Sequence, residues 1–258
     1  MNTIKEIYAY REMIYSLVRK DLRGRYKGSL LGFFWTFLNP LLQLIVYTIV
    51  FSTIMRMGVE KYYLFLFVAL IPWIFFSTSV TGGSSCIIAQ QSLVTKIYFP
   101  REVIPIAHVT SAFVNMLYCF IIVFIVVFIG GIRIEPIALL CLPVIMIIQY
   151  ILALGIAMLV SAVTVYFRDL EHILGIITMA WMYLTPVIYP ITMVPEKYYT
   201  IFMLNPMTPI TIAYRDILYS GTTPHMGTLL QGLGLGIVVL IIGLLVFNSL
   251  KRHFAEEL

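Results

Sequence analysis

Residues 103–132 read VIPIAHVTSAFVNMLYCFIIVFIVVFIGGI, without a single Asp, Glu, Lys or Arg. A helix rises about 1.5 Å per residue, so roughly 20 residues cross the ~30 Å hydrocarbon core of a bilayer. One Lys, Arg or Asp at the centre of such a helix costs about 2.5–3.5 kcal/mol on insertion. Five more uncharged runs surround it, at 28–55, 62–95, 136–167, 172–195 and 217–250. Each is long enough to span. The expected fold is an all-α polytopic membrane protein with six transmembrane helices, residues 28–258 forming the membrane domain. The short alternating segments of a transmembrane barrel are absent, and an open sheet leaves unpaired backbone groups in lipid.

Outward from these runs, the composition agrees. The chain is 61% hydrophobic and 11% charged, against about 25% charged in a soluble domain. Six spans put both termini on one side. That side, with residues 1–27, the loops near 96–102 and 168–171 and the tail from 251, carries 12 Lys/Arg against 5 on the other. The positive-inside rule makes the richer side cytoplasmic. The modest basic excess thus orients the chain in a membrane and implies no nucleic-acid partner. The first run begins behind a charged segment and does not read as a cleaved signal peptide.

Residues 1–27 form a segment of their own. On a helical wheel Ile4, Ile7, Tyr8, Tyr15, Val18, Leu22 and Tyr26 share one face, and Arg11 falls on that face and has to snorkel. Lys and Arg outnumber acids here by 7 to 3, which predicts an amphipathic helix along the inner membrane surface. Gly24, Gly28 and Gly32 then recur every fourth residue, a ridge for close helix approach or a bend into the membrane. Gly232 and Gly236 repeat the spacing. Between spans five and six, Pro195, Asn205-Pro206, Pro209 and Pro224 interrupt an apolar stretch, which reads as external re-entrant or interfacial helices.

The chemistry missing from the sequence narrows its function. The histidines at 108, 172, 225 and 253 form no HExxH pattern, and no carboxylates pair within the spans, so no catalytic or metal-binding constellation emerges. His108 reads as a hydrogen-bonded packing residue, and Cys86, Cys119 and Cys141 as packing residues rather than a disulfide framework. No Gly precedes a Lys, so no phosphate-cradling Walker A loop exists. Uphill transport needs energy from another polypeptide, gripping the short cytoplasmic loops.

Several stretches together carry a resemblance. They are Leu17–Trp35 with Asn39-Pro40-Leu41, Ile71–Ser77, Lys96–Glu102, Tyr166-Phe167-Arg168-Asp169, Thr185–Pro190, Asn205-Pro206 and Tyr214-Arg215. In order and spacing, over essentially the whole chain, the sequence resembles ABC-2 type permeases that export polysaccharides, with Thr185 where the family often has Ser. The resemblance implies the permease of an O-antigen or teichoic-acid exporter in the bacterial cytoplasmic membrane. It implies a homodimer, two copies of a separate subunit that binds ATP and Mg, and a lipid-linked polysaccharide as substrate. No cofactor is expected in this chain, and no enzymatic activity.

By the same resemblance Lys96, Tyr98, Phe99, Pro100, Arg101 and Glu102 dock on the ATPase, assisted by Arg168 and Asp169. Arg168 and Asp169 also read as a flanking charge and a helix cap. Spans one and five border the channel, which makes Trp35, Tyr47, Tyr183 and Tyr189 its lining candidates, since aromatic faces hold sugars while letting them slide. Two other readings stay open: an ABC-2 permease for a drug or other small amphiphile, and a membrane-embedded lipid-modifying enzyme.

Overall fold

The computed structural model describes residues 2–25 and 28–258. Met1, Tyr26, Lys27 and the side chain of Ile4, all within the expected interface helix, lie outside the described residues. The described chain is helical throughout, without strands. Its helices are α1 (Asn2–Ala9), α2 (Arg11–Gly24), α3 (Trp35–Thr48), α4 (Tyr62–Ala89), α5 (Gln91–Lys96), α6 (Val103–Ile129), α7 (Pro136–Tyr166), α8 (Leu170–Leu184), α9 (Glu196–Leu204), α10 (Met207–Arg215), α11 (Met226–Leu250) and α12 (Phe254–Glu257). A 3-10 turn and a π turn extend α3 to Gly32–Ile54, the first of five helices long and apolar enough to cross a membrane.

The fifth run along the chain departs from its expected form. Although 172–195 is uncharged over a spanning length, its helix ends at Leu184. Fifteen residues reach only about 22 Å. Pro186 forces the break, because a residue before proline is pushed out of the helical region, and Thr185 is extended at φ −110°, ψ 136°. The chain continues through a buried, non-helical turn to Ile188 before α9 and α10.

The core centres on α4, which is apolar on all sides and packs on α3, α6, α7, α8 and α10. A helix hydrophobic all round belongs in the interior. Pro72 lies within it, and Gln149 of α7 donates to the Pro72 carbonyl at 2.8 Å while accepting from Tyr214 of α10 at 2.9 Å. One buried amide therefore ties three helices, with both of its ends satisfied.

The glycines divide by role. Gly28 and Gly32 adopt φ of 83° and 48°, the bend into α3, and nothing lies within 4 Å of where their side chains would be. Close approach is made elsewhere. At Gly155 of α7 an added Cβ would fall 2.6 Å from Leu240 Cα, and at Gly243 it would meet the Gly155 backbone, so α7 and α11 touch backbone to backbone. Gly232 and Gly236 contribute ordinary van der Waals contact at 3.5 Å or more.

The N-terminal segment is two helices broken at Tyr10. Packing of α2 against α6 selects its inner face, through Tyr10, Met13, Ile14, Leu17 and Val18. Tyr8 and Tyr15, expected on the apolar face, are exposed, and the Arg11 guanidinium sits 4.9 Å from the Tyr8 ring centre. A wheel read against a flat bilayer misses this rotation, because a neighbouring helix competes with lipid for the apolar side.

Candidate functional site

Two regions bear on function: a groove along the bundle, and a layer of segments at the end where both termini gather. The groove lies between α3 and α8 with α4 as its floor. It measures about 480 Å³ and is lined by Gln43 and Tyr47 of α3, by Trp73, Ile74, Ser77, Thr78 and Thr81 of α4, and by Gly175, Thr178, Met179 and Met182 of α8. Hydroxyls of Thr81 and Thr178 donate to carbonyls Ser77 and Leu174 of their own helices, which satisfies their protons inside a membrane span. The side chains of Gln43 and Ser77 make no hydrogen bond among the described residues, which leaves donors and acceptors facing the groove. The wall is thus uncharged and combines aromatic rings, hydroxyls and an amide.

Of the four lining candidates, Tyr47 lines this groove. Tyr183 is exposed on α8, and Tyr189 is bound to it, donating its hydroxyl to the Tyr183 carbonyl at 2.6 Å. Trp35 stands at the other end of α3, where its indole N–H donates to Ser29 Oγ at 2.9 Å.

At the far end of α8, non-helical backbone is buried without its own ladder of hydrogen bonds. Each exposed carbonyl there would cost several kcal/mol in an apolar surrounding. Every carbonyl from 183 to 189 has a donor. Besides the Tyr189–Tyr183 bond, Asn205 Nδ2 serves Leu184 at 3.1 Å, the Val187 amide serves Thr185 at 2.6 Å, and the Tyr62 hydroxyl serves Ile188 at 2.7 Å. Arg215 serves the other three: Pro186, Val187 at 2.6 Å and Tyr189 at 3.4 Å. Its Nε donates to the Phe65 carbonyl at 3.3 Å, and its guanidinium stacks 3.5 Å from the Phe65 ring centre. Arg215 is only 7% exposed and pairs with no carboxylate among the described residues. Sequence reasoning counted it as a charge on the outer side and, with Tyr214, as part of the resemblance, without its partners; the signal was an Arg beside an apolar stretch, where a cation needs them.

At the other end, the loop after α5 splits by direction. Lys96, Ile97 and Tyr98 face outward, Tyr98 at 91% exposure, while Phe99 and Glu102 turn inward, Glu102 at 1%. The Arg101 guanidinium closes the turn by donating to the carbonyls of Ile97 and Phe99, both at 3.1 Å, and stacks on Phe99. Pro100 is half-buried. Glu102 forms an ion pair with Lys251 of the C-terminal tail, and its second oxygen has no partner among the described residues. Tyr10 donates to the Tyr98 carbonyl and Tyr166 to that of Leu250. Phe254 is buried with Phe247, Phe99 and Val94. The N-terminal helices, this loop and the tail thereby frame one cleft of about 450 Å³. Arg168 and Asp169 are exposed, and the Asp169 side chain makes no capping bond although its carbonyl accepts from His172 at 3.1 Å.

Between α2, α4 and α6 lies a third cavity, of about 520 Å³, containing Lys20, Asp21, Arg25 and His108. Asp21 accepts from Arg25 Nη2 at 2.8 Å and from Ser111, pinning α2 to α6. Burial pushes its carboxyl up, but the Ser111 bond and the Arg25 charge outweigh this and hold it below the ordinary 3.8. His108 rests over Gly82 and bonds the Thr78 carbonyl at 3.2 Å, consistent with a packing residue.

The family model for the ABC-2 type transporter matches residues 12–219, a span that takes in α2, the groove and the Arg215 cluster. The chain belongs to the ABC-2 type transporter family. It is thus a membrane-embedded transport subunit. It is similar to the O-antigen export system permease protein RfbA of Myxococcus xanthus, at 35% identity over 99% of this chain and 98% of that protein. The protein of the same name from Klebsiella pneumoniae is 32% identical over 96% and 95%. The polysialic acid transport protein KpsM of Escherichia coli is 23% identical over 91% and 92%. Full-length coverage at both ends means that the ABC-2 domain and its flanking segments are shared with export permeases.

Proposed function

We propose that two copies of this chain form the conduit of an exporter that moves a lipid-linked polysaccharide, of O-antigen or teichoic-acid type, across the bacterial cytoplasmic membrane. The groove between α3 and α8 carries this reading: it is long, uncharged, lined with hydroxyls and aromatic carbon, and open on one side. A second copy closes it into a channel, with the apolar outer face of α3, including Ile45, Val46 and Ile49, against the partner copy or lipid. Sugars slide along such a wall because individual contacts are weak and repeated.

Two copies of a separate subunit bind ATP and Mg and seat against the cleft framed by Tyr98, Arg101 and Lys251, with Lys96, Arg168 and Asp169 at its margin. Both termini then lie in the cytoplasm, as the charge asymmetry requires, and α9 and α10 re-enter from the outer side. The similarity to O-antigen permeases supports the cargo class.

Gly175 gives the direct test, because nothing lies within 4 Å of an added Cβ. Gly175→Trp places a large ring on the groove lining at a position where the Cβ itself has open space. Surface polysaccharide per assembled complex should fall at least about tenfold, since passage depends on the free width of the lumen. Ile176→Trp, one residue away at an exposed position, should export normally. Normal export by Gly175→Trp would remove the groove from the conduit.

A further inference from the structure

We infer that Arg215 is the positioning residue of the conduit wall: it sets where the outer end of α8 stands. The inference rests on the reading of α8 as that wall.

The wall is a short helix. Its last turn is followed by Thr185–Ile188, a buried segment in which the one local backbone bond runs from the Val187 amide to the Thr185 carbonyl. A buried irregular segment of this kind has no ladder to define its path. Its course is set instead by side chains reaching in from three other elements: Tyr62 at the start of α4, Asn205 between α9 and α10, and Arg215 at the end of α10. Arg215 alone takes three of the carbonyls. A planar fork with five N–H donors can do this, whereas a Lys ammonium is a point charge that cannot span them.

Among the described residues the guanidinium has no carboxylate to neutralise it. Its charge is spread over carbonyl dipoles of the very segment it orients, and over the Phe65 ring. Removing it therefore strips donors from the segment and leaves nothing charged behind. Phe65 also begins a line of rings that leads back to the groove: Tyr62 at 6.0 Å, Phe51 at 6.4 Å and then Tyr47 at 6.3 Å between centroids. Arg215 is thus linked to both walls, directly to the segment after α8 and through the line of rings to α3. Asn205 supplements it by bonding Thr185 Oγ1 at 2.8 Å and accepting from the Trp181 indole at 2.9 Å.

The test uses the assembled transporter in membranes and reads local position separately from transport. A Val187→Cys reporter, buried in the parent chain, is probed from outside with a membrane-impermeant maleimide. Arg215→Met should make it label far faster and should lower export per assembled complex. Arg215→Lys should behave like Arg215→Met despite keeping its charge. Tyr62→Phe deletes only the hydroxyl serving Ile188 and should raise labelling by about tenfold, the equivalent of one buried hydrogen bond. This milder variant carries the test if Arg215→Met fails to assemble. Continued protection of residue 187 in Tyr62→Phe and Arg215→Met, or full recovery by Arg215→Lys, would overturn the role of the guanidinium fork. Faster labelling with unchanged export per complex would instead overturn the reading of α8 as conduit wall, and the positioning role with it.

Discussion

Where α7 crosses α11, Gly155 and Gly243 let two backbones touch; where α3 faces α8, a gap of about 480 Å³ lies between them. Both pairs are made of apolar helices, α8 being the one too short to span, and neither can draw on a hydrophobic driving force between helices, since lipid is as apolar as leucine. The difference lies in what replaces that force. Small residues allow α7 and α11 the close van der Waals contact that holds helices together in lipid. The α3 and α8 helices lean on α4 individually, and α8 is secured at its far end by hydrogen bonds to its carbonyls. A rigid half and a hung half within one bundle suit a transporter whose wall must yield to cargo while its frame does not.

The largest effect should come from attacking the rigid half. Gly155→Val places a Cβ 2.6 Å from the Leu240 backbone, which cannot swing aside as a side chain would. A loss of about 3 kcal/mol or more is expected from such overpacking, read as lost thermal stability and reduced membrane yield. In the hung half the contrast is direct: Gly175→Ala meets nothing and should leave stability equal or slightly raised, by about 0.5–1 kcal/mol through helix propensity. Equal stability losses at the two glycines would erase the distinction.

Next in size is the joint between the bundle and its terminal-end layer. Lys251→Met leaves the Glu102 carboxylate buried and alone, and losing one partner of a buried pair costs about 3 kcal/mol. Glu102→Arg should do no better, because it sets a cation against Lys251 and Arg101 in a closed site; both variants should weaken co-purification with the ATPase. The exchange Glu102→Lys with Lys251→Glu should recover part of it. Tyr98→Ala, at an exposed position, should leave stability intact and reduce only ATPase binding. If Tyr98→Ala destabilises the isolated chain as much as Lys251→Met, the inward and outward halves of the loop have no separate roles.

The smallest effect is expected where α2 is pinned to α6. The Asp21 carboxyl is depressed in the folded chain, so its contribution is present above the ordinary carboxylate range and disappears as pH falls through its folded value, below 3.8. Asp21→Asn should therefore lower thermal stability modestly at pH 6–7, and the gap should close on acidification toward pH 3. The group is partly exposed, so solvent screening keeps the difference small. A gap that widens with acid would contradict the depressed value.

Much of this architecture was legible in the residues. Uncharged runs reveal candidate spans because the bilayer core punishes charge, a one-dimensional rule that needs no knowledge of neighbours. The end of α8 before Pro186 was not read from the sequence, where the uncharged run continues to residue 195. Neighbours decided the rest. The inner face of α2 was turned by α6. The Lys96–Glu102 stretch divided into buried and exposed halves because the tail, some 150 residues later, supplies Lys251. Arg215 stands 26 to 29 residues from the carbonyls it serves after α8 and 150 from that of Phe65, and Tyr62 is 126 residues from the carbonyl it reaches. Hydropathy and local propensity follow from each residue and its near neighbours, so the sequence by itself determined the helical membrane fold and where its five long spans run among the described residues. Which donor satisfies a freed carbonyl depends on which chain segments meet in space, and only the tertiary structure decided that.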